Sequence, residues 1–110
     1  MGPLENLTNL REIDENRFRY NIAQKRVMAT LVYTPTCGTC VMAKKIMGVM
    51  AQSFPQISFW QINLNRHENL SQEFQITSVP CLLVHQDGRH QETIYLFGAA
   101  SLYEKLEKYI

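Results

Sequence analysis

Three cysteines and three histidines are the residues of this 110-residue chain best suited to nucleophilic or metal-binding chemistry. Cys37 and Cys40 enclose Gly38 and Thr39 within the stretch LVYTPTCGTCVMAKKIM. Such a pair has three readings: a disulfide that cycles, half of a metal site, or an accident of composition. The thiolate is both the nucleophile and the metal ligand, so the surroundings of the pair decide between them. The third cysteine, Cys81, directly follows Pro80. His67, His85 and His90 show no ligand spacing relative to the pair. A zinc ion on Cys37, Cys40, Cys81 and one histidine would need all four groups to converge.

The elements around the pair follow from hydrophobic periodicity. Residues 27–33, VMATLVY, form a continuous β-branched apolar run, the pattern of a strand buried on both faces. Thr34-Pro35-Thr36 ends it. A helix is expected from about Cys37 to Ser53, with Met42, Ala43, Ile46, Met47 and Met50 on one face as core filling and Lys44 and Lys45 elsewhere on the wheel. Upstream, residues 6–13 hold a short strand candidate with Leu7, Leu10 and Ile13. Asp14 then caps a helix to about Lys25, with Phe18, Ile22 and Ala23 on one face. Downstream come a strand at 57–64, a short helix near 68–74, and a strand at 79–85. The tight-turn signal Asp87-Gly88 leads to a hairpin partner at 91–97. Ser101 is the expected cap of a last helix carrying Leu102, Leu106 and Ile110. The order β-α-β-α-β-α-β-β-α predicts an α/β fold: a mixed sheet flanked by helices on both faces.

This context favours redox chemistry at the cysteine pair. The carboxyl edge of strands in an open α/β sheet is where sites are built. A helix N-terminus offers unpaired N–H groups and the positive end of the dipole, and both stabilise a thiolate. Two intervening residues let the sulfurs close a small ring. The outer sulfur is placed to attack and the inner one, a turn deeper, to resolve.

Composition narrows the rest. The length fits one domain, residues 1–110. A net charge of +1 gives no field for nucleic acid or an anionic membrane. Arg11, Arg17, Arg19, Lys25 and Arg26 are interleaved with Glu12, Asp14 and Glu15, as on a solvated helix face. No signal-peptide core or membrane-length apolar run is present, so a cytoplasmic location is expected. In that compartment a close cysteine pair is more often catalytic or metal-binding than structural.

Along nearly its whole length the chain resembles the thioredoxin family. The resemblance rests on Cys37-Gly38-Thr39-Cys40 after the buried strand, Val79-Pro80 opening a later strand, the Asp87-Gly88 hairpin, and Gly98 before the last helix. It implies a thioredoxin-like fold and thiol–disulfide exchange with protein or small disulfide substrates. By this resemblance Cys37 and Cys40 are catalytic, no cofactor is needed, and Val79-Pro80 is cis and receives an extended substrate segment. Gly38, Thr39 and Cys81 are accessory candidates. A thioredoxin-reductase-like flavoenzyme or a low-molecular-weight thiol is the implied reductant. The sequence also departs from the family pattern. Thr36 replaces the Trp that often precedes the first cysteine. Leu31 stands where the family has a buried Asp, and Gln61 where it has a Lys. Losing both together is coherent, because either charge alone would be buried unpaired. The departures leave two rivals open: a thioredoxin-like binding module with little turnover, and a metal or Fe–S domain.

Overall fold

The computed structural model of the chain describes residues 10–95 and 98–110. Its five-stranded sheet has the order β1-β3-β2-β4-β5. The strands are β1 (Arg11–Glu12), β2 (Val27–Tyr33), β3 (Ile57–Asn63), β4 (Cys81–Gln86) and β5 (Arg89–Tyr95). The helices are α1 (Glu15–Ile22), α2 (Gly38–Ser53), α3 (Asn69–Glu73) and α4 (Ala99–Glu107), with a 3-10 turn at Leu64–Arg66. β1, β3 and β2 run parallel, while β4 is antiparallel to β2 and β5 to β4. The expected α/β order is thus present. Leu7, Leu96 and Phe97, which the sequence places in the first strand and the last hairpin, lie outside the described residues.

β2 is central because every one of its residues is buried. Its side chains alternate between two cores. Val27, Ala29 and Leu31 pack with Met47 and Phe54 of the α2 region, and with Leu102 and Leu106 of α4. Met28 and Val32 pack on the other face with Phe18 of α1 and Leu70 of α3. Full burial of a Phe such as Phe18 contributes about 2–3 kcal/mol in transfer free energy alone.

Local signals set the element ends. The Asp14 side chain accepts a 2.8 Å hydrogen bond from the Arg17 amide, so the expected N-cap of α1 is present. That helix stops at Ile22 rather than Lys25. At the hairpin, Asp87 and Gly88 have φ of 53° and 82°, the left-handed pair that a two-residue turn requires.

Three expectations are corrected. Met42 is 60% exposed, because the buried stripe of α2 runs through Cys40, Ala43, Met47 and Met50, and 100° per residue turns Met42 away from it. The N-cap of α4 is Gly98, not Ser101: Ala99 and Ala100 are strong helix formers and draw the start forward. Ile110 lies past the end of α4 and is exposed.

Candidate active site

Pro35 and the extended Cys37 backbone break the strand and start α2, and this places the two cysteines. Cys37 is the N-cap, with φ −86° and ψ 112°, and among the described residues no side-chain hydrogen bond caps the helix. The Cys40 amide bonds back to the Cys37 carbonyl at 3.2 Å, and the amides of Gly38 and Thr39 open the helix beside its sulfur. Cys37 and Cys40 are joined as a disulfide, with Cα atoms 5.3 Å apart. Cys37 is half-buried, whereas Cys40 is 2% exposed. One sulfur meets the outside and the other is sheltered beneath the first turn.

Three further groups touch the outer sulfur or flank it. The Thr39 hydroxyl lies 3.3 Å from Cys37 Sγ, where it can donate to a thiolate. The Val79 carbonyl oxygen is 3.8 Å from the same sulfur. Val79-Pro80 is a cis peptide bond, as the resemblance implies, and Pro80 is buried. Among the described residues a Cβ added at Gly38 would meet nothing within 4 Å, so that glycine leaves open space beside the pair.

Cys81 is a neighbour in sequence but not in setting. It pairs with Val32 across β2 and β4 and belongs to the core beneath α1 and α3. Ala43 and Met47 of the cysteine-bearing helix pack on the opposite core. Burial pushes the Cys81 thiol up to about 12, so it stays protonated at neutral pH. His85 and His90 also lie elsewhere: their rings are 5.3 Å apart, in a cluster with Phe18 and Phe74. No group of three or more His, Cys, Asp or Glu side chains placed to hold a metal ion occurs among the described residues.

The two departures noted in the sequence meet in the structure. Leu31 and Gln61 are direct cross-strand partners of β2 and β3. Leu31 is fully buried, and Gln61 Oε1 is buried without a hydrogen-bond partner among the described residues. On the same sheet face sits a polar group that periodicity alone did not reveal. Tyr33 Oη donates a 2.6 Å hydrogen bond to Glu12, and Lys44 Nζ lies 3.7 Å from the centre of the Tyr33 ring. Lys44 is therefore not a freely solvated lysine. The available clue was its spacing, one helical turn after Cys40.

Comparisons with known proteins agree with this geometry. The family model described as Thioredoxin matches residues 9–110. The thioredoxin-like protein YusE of Bacillus subtilis is 33% identical over 100 residues, covering 90% of this chain and 92% of the relative. Thioredoxin-1 of Saccharomyces cerevisiae is 23% identical over 74 residues, 67% of this chain and 72% of the relative. Among solved structures, oxidized mitochondrial thioredoxin 3 of S. cerevisiae superposes with a TM-score of 0.84 at 19% identity, covering 94% of this chain and 98% of that one. With the family match, the fold and the paired cysteines at the start of α2 all in agreement, the chain belongs to the thioredoxin family and is a thiol–disulfide oxidoreductase.

Proposed function

We propose that Cys37 is the attacking sulfur and Cys40 the resolving sulfur in the reduction of disulfides in proteins or small molecules. In the reduced form the Cys37 thiolate attacks one sulfur of the substrate disulfide. The substrate S–S bond breaks, and one substrate thiolate leaves and takes up a proton. A mixed disulfide then joins Cys37 to the other substrate sulfur. Cys40 loses its proton and attacks Cys37 Sγ, which forms the intramolecular disulfide and releases the second substrate thiolate. Two electrons pass from the cysteine pair to the substrate, so no cofactor is needed.

One observation carries this assignment: the outer, half-buried sulfur stands at the N-cap of α2, bonded to a sheltered one. A helix N-terminus lowers the proton affinity of the outer thiol, and the Thr39 hydroxyl adds a donor. The Val79 carbonyl, next to Pro80, is positioned to accept an N–H from an extended substrate segment. Among the described residues nothing lies within 4 Å of the place a Gly38 side chain would take. Cys81 acts as a small apolar core residue.

We further assign residues 1–110 to a single thioredoxin-like domain. It is re-reduced by a thioredoxin-reductase-like flavoenzyme or a low-molecular-weight thiol and maintains cell redox homeostasis in the cytoplasm. Among the described residues no helix is long and apolar enough to cross a membrane.

Trapping tests the roles. Replacing Cys40 by Ser keeps the size but removes the resolving thiol, so Cys40→Ser is expected to capture partners from a cell extract as adducts that dithiothreitol dissolves. Cys37→Ser should capture few or none. Equal, reductant-insensitive capture by both variants would show docking rather than exchange.

A further inference from the structure

Cys40 must lose a proton before it can resolve the mixed disulfide, yet its surroundings on the sheet are apolar at the position that matters. Glu12, Gln61 and Leu31 lie in one lateral row across β1, β3 and β2, on the face covered by α2. The inner two members of that row carry no charge. The charges that do face this side come from the rim. Glu12 accepts the hydrogen bond of Tyr33, and Lys44 reaches down from α2 onto the Tyr33 ring. Arg66, in the 3-10 turn after β3, is a second cation whose field reaches Tyr33.

Lys44 follows Cys40 by one helical turn, so the two side chains are neighbours on one helix face. Helical side chains lean toward the N-terminus, which tilts Lys44 toward Cys40 rather than away. A cation over an aromatic face is attracted by the ring quadrupole, and more strongly when partly desolvated. A phenol that donates to a carboxylate is richer in electron density and holds a cation better. Burial and Glu12 both raise the Tyr33 hydroxyl well above the ordinary tyrosine range, so it remains the donor at every physiological pH.

We propose that Lys44, held on the Tyr33 ring by the Glu12 carboxylate, is the fixed positive charge that stabilises the Cys40 thiolate during resolution. This rests on Cys40 being the resolving thiol. The Cys40 proton goes to solvent. The thiolate then forms the bond to Cys37 Sγ as the bond from Cys37 to the substrate sulfur breaks, and the departing thiolate takes up a proton. Lys44 keeps its own proton and touches no reacting atom. Tyr33 and Glu12 are positioning residues for it.

The test reads the Cys40 thiol directly, in protein carrying Cys37→Ser and cysteine labelled with carbon-13 at Cβ. The chemical shift is followed against pH. Cys81, pushed up to about 12 by burial, stays protonated over most of the range. Lys44→Met is expected to lower the thiolate fraction at fixed pH about a hundredfold, the effect of one charge at roughly a helical turn through a protein-like dielectric. Lys44→Arg should restore it. Glu12→Gln and Tyr33→Phe should lower it about two- to threefold. Lys45→Met removes the same charge from the exposed side of α2 and should change it less than twofold. With Cys37 intact, Lys44→Met should slow single-turnover resolution below the Cys40 pKa, and the deficit should close as pH rises. An unchanged titration in Lys44→Met, or an equal shift in Lys45→Met, overturns the proposal. If Cys40→Ser captures no partner, it is the resolving role that has failed, and the titration still decides the electrostatics.

Discussion

Cys40 and Cys81 are both buried thiols, 2% and 0% exposed, and they occupy opposite settings. Cys40 lies in the first turn of a helix, bonded to a half-exposed partner, with Lys44 one turn further on. Cys81 faces an apolar core of Ile13, Phe18, Val32, Ile62 and Leu83. The contrast extends to the other ionisable groups of the two faces. On the α2 side Tyr33 contacts both Glu12 and Lys44 at the rim. On the α1 side His85 is 1% exposed, and neither ring nitrogen has a hydrogen-bond partner among the described residues. Burial depth is thus a poor guide to reactivity. What separates the faces is whether a buried polar group is supplied with charge, dipole and access.

The largest expected effect breaks the two thiols apart. Cys40→Ser should lower multiple-turnover insulin reduction on the order of a thousandfold or more, since the mixed disulfide can no longer be resolved from within. Cys81→Ala should leave the rate within about twofold and cost ~1–2 kcal/mol of stability in urea, the loss of one buried sulfur. An alkylating probe on the reduced native protein should label Cys37 well before Cys81. A large rate loss in Cys81→Ala without a loss of stability would erase the distinction between the faces.

A second prediction concerns His85. Phe18 and Phe74 meet its ring edge-on at 5.6 and 5.5 Å, and His90 lies at 5.3 Å. Burial, with the nearby His90 adding to it and Glu73 opposing, lowers the imidazole from 6.5 to about 4. The folded state therefore keeps His85 neutral at pH values where the unfolded chain would protonate it. Its contribution is fully present above pH 6.5 and is lost as pH falls from there toward 4. The loss from this group should reach up to roughly 3 kcal/mol, seen as a falling urea midpoint. His85→Phe keeps an aromatic ring and removes the titration, so its stability curve should be flatter over that interval. At neutral pH it should be no less stable, since two buried nitrogens without a hydrogen-bond partner among the described residues are gone. An unchanged pH slope in His85→Phe would assign the acid sensitivity to other groups.

Legibility in the sequence follows the same division. The element order could be read because β2 is apolar throughout and α2 carries a helical repeat, both of which are local patterns. The cysteine pair could be read because strand, proline and helix surround it within a few residues. What the sequence concealed depends on relations across the fold. Lys44 looks like any surface lysine until Tyr33 and Glu12 are brought beneath it. Met42 looks like core because a step of three or four residues leaves room for more than one helical face, and only packing selects one. Cys81 sits beside Pro80 in the chain, but strand alternation turns it toward the other core.

The smallest expected effect sharpens the contrast at the open end of the site. Gly38 begins α2, and a Cβ there would touch nothing within 4 Å among the described residues. It is not among the glycines with positive φ, so an alanine can adopt the same backbone. Gly38→Ala should therefore raise stability by ~0.4–1 kcal/mol, chiefly by restricting the unfolded chain. A methyl group beside Cys37 also narrows the space that a bulky partner must enter, while a small disulfide can still reach the sulfur. The expected outcome is an unchanged kcat/KM for a small disulfide and a fall of about two- to fivefold for a protein substrate, from the loss of close contact at one point of an interface. Stability is read by urea denaturation, and the two substrates are compared in parallel on the same preparation. Equal kcat/KM ratios for both substrates would mean that protein partners approach Cys37 from a direction Gly38 does not border, leaving the Val79-Pro80 side as their entry.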